Sequence, residues 1–265
     1  MKNPDIDLMR DEEKDRNFVT ALARGLDVLR CFRRGETELS NTDFSDRTGL
    51  PKATISRLTH TLCALDYLVV DPRSGAYRLG AGVLQLGFGV LAGMDVCDRA
   101  HQVLKDLRNG PNSYITAALG EAHRDEVTYV AVHRSREDVS LSMRVGSRLP
   151  LFRTAIGRAI LVGLSDGQLQ KAFDFADRLD PDGTADRQQI YKDACAEFEE
   201  RGYCTSYGDW REDVNAIAVP VFSLNGSRVF GLNVGGPSFH VQTDQLEAHY
   251  APALKDAAQL LSLRP

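Results

Sequence analysis

Residues 47–62 read Arg47-Thr48-Gly49-Leu50-Pro51-Lys52-Ala53-Thr54-Ile55-Ser56-Arg57-Leu58-Thr59-His60-Thr61-Leu62. Gly49 and Pro51 divide this stretch: a helix ends at Thr48-Gly49, and another begins with Pro51 in its first turn, where its missing N–H costs nothing. On a wheel advancing ~100° per residue, Ile55, Leu58, Leu62 and Leu65 form one apolar stripe. Lys52, Ala53, Ser56, Arg57 and His60 lie opposite, with Thr54 on the flank. No acidic residue occurs between Leu50 and Leu65. A solvated helix face has the same periodicity but usually mixes signs. A face of this kind suits the major groove: Lys and Arg meet phosphates or guanine edges, Ser and Thr bond bases or backbone, and Ala leaves room for a thymine methyl.

Upstream, Val19, Leu22, Leu26, Leu29 and Phe32 recur at helical spacing until Arg33-Arg34-Gly35 stops the run. Ser40-Asn41-Thr42-Asp43 offers caps for a short helix through Phe44, and Thr42 joins the DNA-facing candidates. Downstream, Leu68-Val69-Val70 and Ala76-Tyr77-Arg78-Leu79 flank a loop, Asp71 to Gly75, whose Asp-Pro and Ser-Gly pairs mark a hairpin. Helix, helix, glycine turn, helix and hairpin is the order of a winged helix-turn-helix. Arg73 at the hairpin tip and Arg78 on its return strand are placed to meet DNA backbone or minor groove, or are plain surface arginines.

The chain of 265 residues suits two domains. Its net charge of −5 is unevenly spread: residues 16–80 carry ten Lys/Arg against seven Asp/Glu, a net +3. Residues 1–15, acidic and poor in apolar side chains, are expected to be a flexible lead-in. Apolar runs fall far short of the ~20 residues that span a bilayer, and five scattered cysteines without Cys-x-x-Cys spacing argue against disulfides or a zinc knuckle. The expectation is a cytoplasmic protein with reduced thiols, no membrane partner, no metal and no cofactor.

The domains expected are the winged helix-turn-helix over 16–80, a linker helix over 81–94 and a second domain over 95–265. In the second, strands are expected over 113–119, 127–133, 139–145, 203–207, 215–222 and 228–235, and helices over 95–107, 155–164, 166–175, 187–201 and 243–263. This pattern predicts an α+β domain with a mainly antiparallel sheet.

The segments ALARGLDVLRCF (21–32), TGLPKATISRLTHTLCALDYL (48–68), DPRSGAYRLG (71–80), VGSRLPLFRTAIGRAIL (145–161), DVNAIAVPVFSLNG (213–226) and VFGLNVGGP (229–237) resemble, in order, the IclR family of bacterial transcriptional regulators. The resemblance runs from about Arg16 to the C-terminus. It implies a winged helix-turn-helix, a linker helix and a GAF-like effector-binding domain, with double-stranded promoter DNA and a small anionic effector as partners. It also implies a homodimer or a dimer of dimers. Typical family effectors are small organic acids or aromatic catabolites.

Thr154 is a candidate N-cap, and Ala155 and Gly157 either admit a ligand to free N–H groups or serve tight helix packing. The resemblance places an effector carboxylate against the backbone of Ala155, Ile156 and Gly157. The strands after Asp213 and Arg228 would supply another wall, making Asp213, Asn215, Ala216, Asn233 and Gly235 candidates. Buried Asn233 would need hydrogen-bond partners, a ligand among them. Serines are common in the family at positions 233 and 235 and His or Tyr at 152, so Asn233, Gly235 and Phe152 imply different side-chain bonding. Arg144, Arg148 and Arg153 favour an anion, or simply lie at the surface. Asp209 could close over a ligand or form a turn.

Rival classes are an enzyme, with Cys204 and a remote His133 or His240 as a thiol site, and a protein-binding module. No His-Glu-x-x-His, Gly-x-Ser-x-Gly or Walker pattern occurs, and the outward face of the 52–62 helix has no large apolar side chain for a protein partner.

Overall fold

The computed structural model describes residues 17–262 except 34, 139 and 140. The expected lead-in lies outside these residues. The chain divides between Gly93 and Met94 into two compact units.

The first unit carries α1 (Thr20–Arg30), α2 (Asn41–Thr48), α3 (Lys52–Ala64), the antiparallel hairpin β1 (Leu68–Val70) and β2 (Tyr77–Leu79), and α4 (Ala81–Ala92). Ser40 caps α2: its hydroxyl accepts from the Asp43 N–H while Asp43 accepts from the Ser40 N–H at 2.7 Å. Gly49, at φ +69°, ends the helix in the left-handed region that an L side chain rarely adopts. Val28, Phe44, Ile55, Leu62 and Leu68 build the core, with Phe32 edge-on to Phe44 at 5.7 Å. Each such large side chain contributes about 1.5–3 kcal/mol by leaving water. Arg47 donates to both Glu36 oxygens and to the Cys31 carbonyl at 2.7 Å, stitching α2 to the end of α1. Leu39 bridges to Tyr77, giving the hairpin a third partner.

The second unit begins with α5 (Asp95–Arg108) and holds a six-stranded sheet. Its strands are β3 (Thr116–His123), β4 (Glu126–His133), β5 (Arg148–Pro150), β6 (Cys204–Tyr207), β7 (Val214–Phe222) and β8 (Val229–Pro237). Their order is β5-β4-β3-β8-β7-β6, antiparallel throughout. Helices α6 (Ala155–Gly163), α7 (Asp166–Leu179) and α8 (Thr184–Arg201) intervene between β5 and β6. The C-terminal helix α9, over 243–262, contains a π turn at Leu246–Tyr250. Even-numbered side chains of β7, such as Ala216 and Ala218, pack with the α6 cluster, while α9 also lies against β7. With both faces covered, β7 and β8 are buried almost end to end, which is why they read as nearly continuous apolar runs. The architecture is α+β, a winged helix-turn-helix followed by a domain with a curled antiparallel sheet. Among the described residues, no single helix is long and apolar enough to cross a membrane.

Two expectations fail. Residues 141–145 of the strand expected over 139–145 are not in a strand, and 139 and 140 are outside the described residues. Gly146 turns the chain at φ +83°, so bonding to β4 starts where the Gly146 N–H donates to the Tyr129 carbonyl and the Tyr129 N–H to the Ser147 carbonyl, and β5 covers Arg148–Pro150. Leu65, placed on the buried stripe of α3, is 58% exposed because the helix ends at Ala64; Thr59 takes the buried position and donates to the Ile55 carbonyl at 3.0 Å.

Candidate functional site

The third helix presents two chemically distinct sides. Ile55, Thr59 and Leu62 are buried, whereas Lys52, Ala53, Ser56, Arg57 and His60 are exposed and Thr54 is half-buried. The Thr59 hydroxyl also reaches Asn41 Oδ1 at 3.4 Å, holding the start of α2 beside α3, with Thr42 exposed there. In the hairpin loop, Asp71 accepts from the Arg73 N–H at 2.8 Å and the Ser74 hydroxyl at 3.0 Å. Those bonds hold its carboxyl below the usual range. They fix a tight tip from which exposed Arg73 projects, with exposed Arg78 on β2.

In the second unit a cavity lies at the N-terminus of α6. Thr154 caps the helix: its hydroxyl accepts from the Gly157 N–H at 3.2 Å and donates to the Pro150 carbonyl at 2.8 Å. The Arg158 N–H opens the helical ladder by donating to the Thr154 carbonyl. The Ala155 and Ile156 N–H groups are served by neither ladder nor cap, and both residues line the cavity. Thr116, Tyr129, Ser206 and Asn233 add polar groups; Leu141, Met143, Leu149 and Trp210 add apolar ones. Among the described residues lining it, none is charged. Its volume, about 20 Å³ for the centre of a water-sized sphere, holds one or two waters, so a larger ligand requires the walls to yield. Asn233 is 6% exposed; its amide donates to the Tyr129 hydroxyl at 3.2 Å, while its Oδ1 is buried without a partner. Arg158 binds Asp209 at 2.8 Å and the Thr205 carbonyl at 2.7 Å, holding the loop that brings Trp210 to the cavity.

Residues 21–79 match the IclR helix-turn-helix domain, and residues 88–263 match the bacterial transcriptional regulator IclR C-terminal domain. The chain belongs to the IclR family. This IclR-family regulator is 32% identical over 252 residues, 94% of its length and 89% of the relative's, to the HTH-type transcriptional regulator TsaQ1/TsaQ2 of Comamonas testosteroni. An IclR-family regulator from Brucella abortus superposes with a TM-score of 0.81 at 36% identity, covering 94% of this chain and 93% of that one. An IclR homolog from Microbacterium hydrocarbonoxydans, solved in complex with 4-hydroxybenzoate, shares the fold at 23% identity and a TM-score of 0.69, covering 91% of this chain and 97% of that one.

Of the pocket candidates in this IclR chain, Thr154, Ala155, Ile156, Ala216, Asn233 and Gly235 line one cavity. Three do not. Strand alternation turns Val214 and Ala216 inward and Asn215 outward, where its amide donates to the Val241 carbonyl at 3.0 Å. Asp213 pairs with Arg211 at 2.6 Å at the surface. Gly157 already gives its N–H to the cap, and a Cβ there would collide with the Leu151 carbonyl; packing accounts for this glycine. Arg144, Arg148 and Arg153 are exposed, with Arg148 paired to Glu126 at 3.2 Å. Asp209 is engaged by Arg158, and Phe152 packs on Phe173 at 5.3 Å.

Thr116, Tyr129, Ser206 and Trp210 escaped the sequence reading. Tyr129 could have been found by carrying the alternation of β4 through Val127; Trp210, in a loop, has no periodic signal. The thiol reading loses its nucleophile: Cys204 is fully buried against the Ala194 carbonyl, and burial pushes its thiol up to about 12.

Proposed function

We propose that the chain is a ligand-responsive, non-enzymatic regulator that binds promoter DNA through α3 and takes a small organic or aromatic carboxylate at the N-terminus of α6. The controlled genes would serve a catabolic pathway and the protein would work in the cytoplasm. The observation carrying the DNA reading is the exposed, acid-free face of α3. Lys52, Ala53, Thr54, Ser56, Arg57 and His60 enter the major groove, Thr42 supports them, and Arg73 and Arg78 follow the backbone. Its modest charge suffices when two subunits engage half-sites together. Pairing as a homodimer, or as a dimer of dimers, is supported by apolar surface left open on the first unit: Leu22 on α1 and Leu84, Leu86 and Phe88 on α4 are each about 60% exposed.

The effector reading rests on the unused N–H groups of Ala155 and Ile156, which carry the positive end of the α6 dipole into a cavity without charged side chains. That the Microbacterium homolog was solved with 4-hydroxybenzoate makes benzoates reasonable probes. The test has two readouts. Arg57→Ala should weaken binding to the regulator's own promoter fragment by roughly 10- to 100-fold while leaving the fold intact, and wild-type binding should weaken steeply with salt. Small carboxylates should raise the melting temperature of the second unit. Unchanged affinity in the variant refutes the DNA assignment; no shift across a carboxylate panel refutes the effector assignment.

A further inference from the structure

We infer that Asn233 and Tyr129 form a reader for a hydroxyl group, so that the effector is a hydroxylated carboxylate. This rests on the carboxylate reading of the cavity and deepens it. Asn233 gives its amide to the Tyr129 oxygen at 3.2 Å, which leaves Asn233 Oδ1 as a buried acceptor without a donor. The Tyr129 oxygen accepts in that bond, so its own proton is not used there. Burial pushes the Tyr129 phenol up to about 12, so it keeps that proton at any working pH. The pair therefore presents one acceptor and one donor side by side on the cavity wall.

An alcohol or phenol is the complement, since a hydroxyl accepts one hydrogen bond and donates another through the same oxygen. A methyl group satisfies neither partner, and an ether satisfies only the Tyr129 donor. An unsatisfied buried acceptor is costly, so discrimination should be strong. A site built to bond a hydroxyl rejects the analogue lacking it far better than an apolar pocket rejects an added methylene.

Position agrees with this division of labour. On β8, Gly231 abuts Ile156 at the start of α6, and Asn233 is the next residue on the same face. The hydroxyl reader thus lies on the strand wall of the same cavity, beside the helix start that takes the carboxylate.

The test is calorimetric titration of the full chain with two matched pairs: 4-hydroxybenzoate against 4-methylbenzoate, and lactate against isobutyrate, with 4-methoxybenzoate added. In the pair that binds, the hydroxylated member should bind at least tenfold more tightly, and the methoxy compound, which accepts from Tyr129 but gives nothing to Asn233, should fall between the hydroxylated and methyl compounds. Asn233→Leu should bring the two members to within about twofold while carboxylate binding persists. If that variant fails to fold, Tyr129→Phe, which removes only the donor, should shrink the preference similarly. Equal binding of the two members, a preference for the methoxy compound, or a preference unaltered in the variants overturns the hydroxyl reader alone. Binding of neither pair overturns the carboxylate reading and this inference with it.

Discussion

Helices α3 and α6 both begin with unpaired N–H groups, yet their first turns are opposites. The α3 start, after Pro51 with no side-chain cap, is Lys52-Ala53-Thr54, mostly exposed. The α6 start, after the Thr154 cap, is Ala155-Ile156-Gly157, wholly buried. An exposed terminus in water gains little from its dipole, so α3 depends on Lys52 and Arg57 to meet an anion. A buried terminus faces little competing water, so α6 needs no cation. The same backbone feature therefore serves a long polyanion at one helix and one small anion at the other.

That contrast can be broken from either side. The largest effect is expected at the third helical position of α6: Gly157→Ala forces a Cβ into the Leu151 carbonyl and should cost about 3 kcal/mol, the upper end of overpacking penalties. A wild-type urea midpoint would refute the interlock. Next, Arg57→Ala should weaken promoter binding by roughly 10- to 100-fold, equivalent to about 1–3 kcal/mol for a base or phosphate contact, with an unchanged melting temperature. An altered melt would mean that Arg57 supports the fold. Thr154→Ala removes the cap and should cost about 1 kcal/mol, measured by the same denaturation. The corresponding third position of α3 is permissive: Thr54→Ala, half-buried, should change stability by less than about 0.5 kcal/mol while weakening DNA binding in a gel-shift titration.

A pH prediction sharpens the contrast for the first unit alone. Arg47 holds the Glu36 carboxyl at about 2, below its reference of 4.5. The folded form therefore favours the ionised state. The stabilisation is complete above about 4.5 and disappears as pH falls towards 2. A Glu36→Gln variant should lack this acid-limb dependence in thermal melts.

Legibility differed between the two regions for a physical reason. A surface helix buries one stripe and frees the other, so α3 betrays its faces through periodicity; only its end, at Leu65, was misplaced. The cavity is assembled from β3, β4, α6, a loop and β8, and no single period links Tyr129, Trp210 and Asn233. Its α6 edge was readable because Thr-Ala-Ile-Gly is a local capping signal. The β7 wall was misread at Asp213 and Asn215, since choosing which alternate residues face inward requires knowing which face α6 covers. The missing strand over 141–145 has a similar origin: apolar alternation cannot register that Gly146 delays pairing.

The close approach of Gly157 to Leu151 has a mechanical consequence. With no side chain between them, the first turn of α6 and the backbone following edge strand β5 form a stiff joint. A load applied at the Ala155 and Ile156 amides is passed to Leu149 and Pro150 rather than absorbed by side-chain rotation. Amide exchange along β5 should therefore slow in step with the first turn of α6 when that turn is occupied.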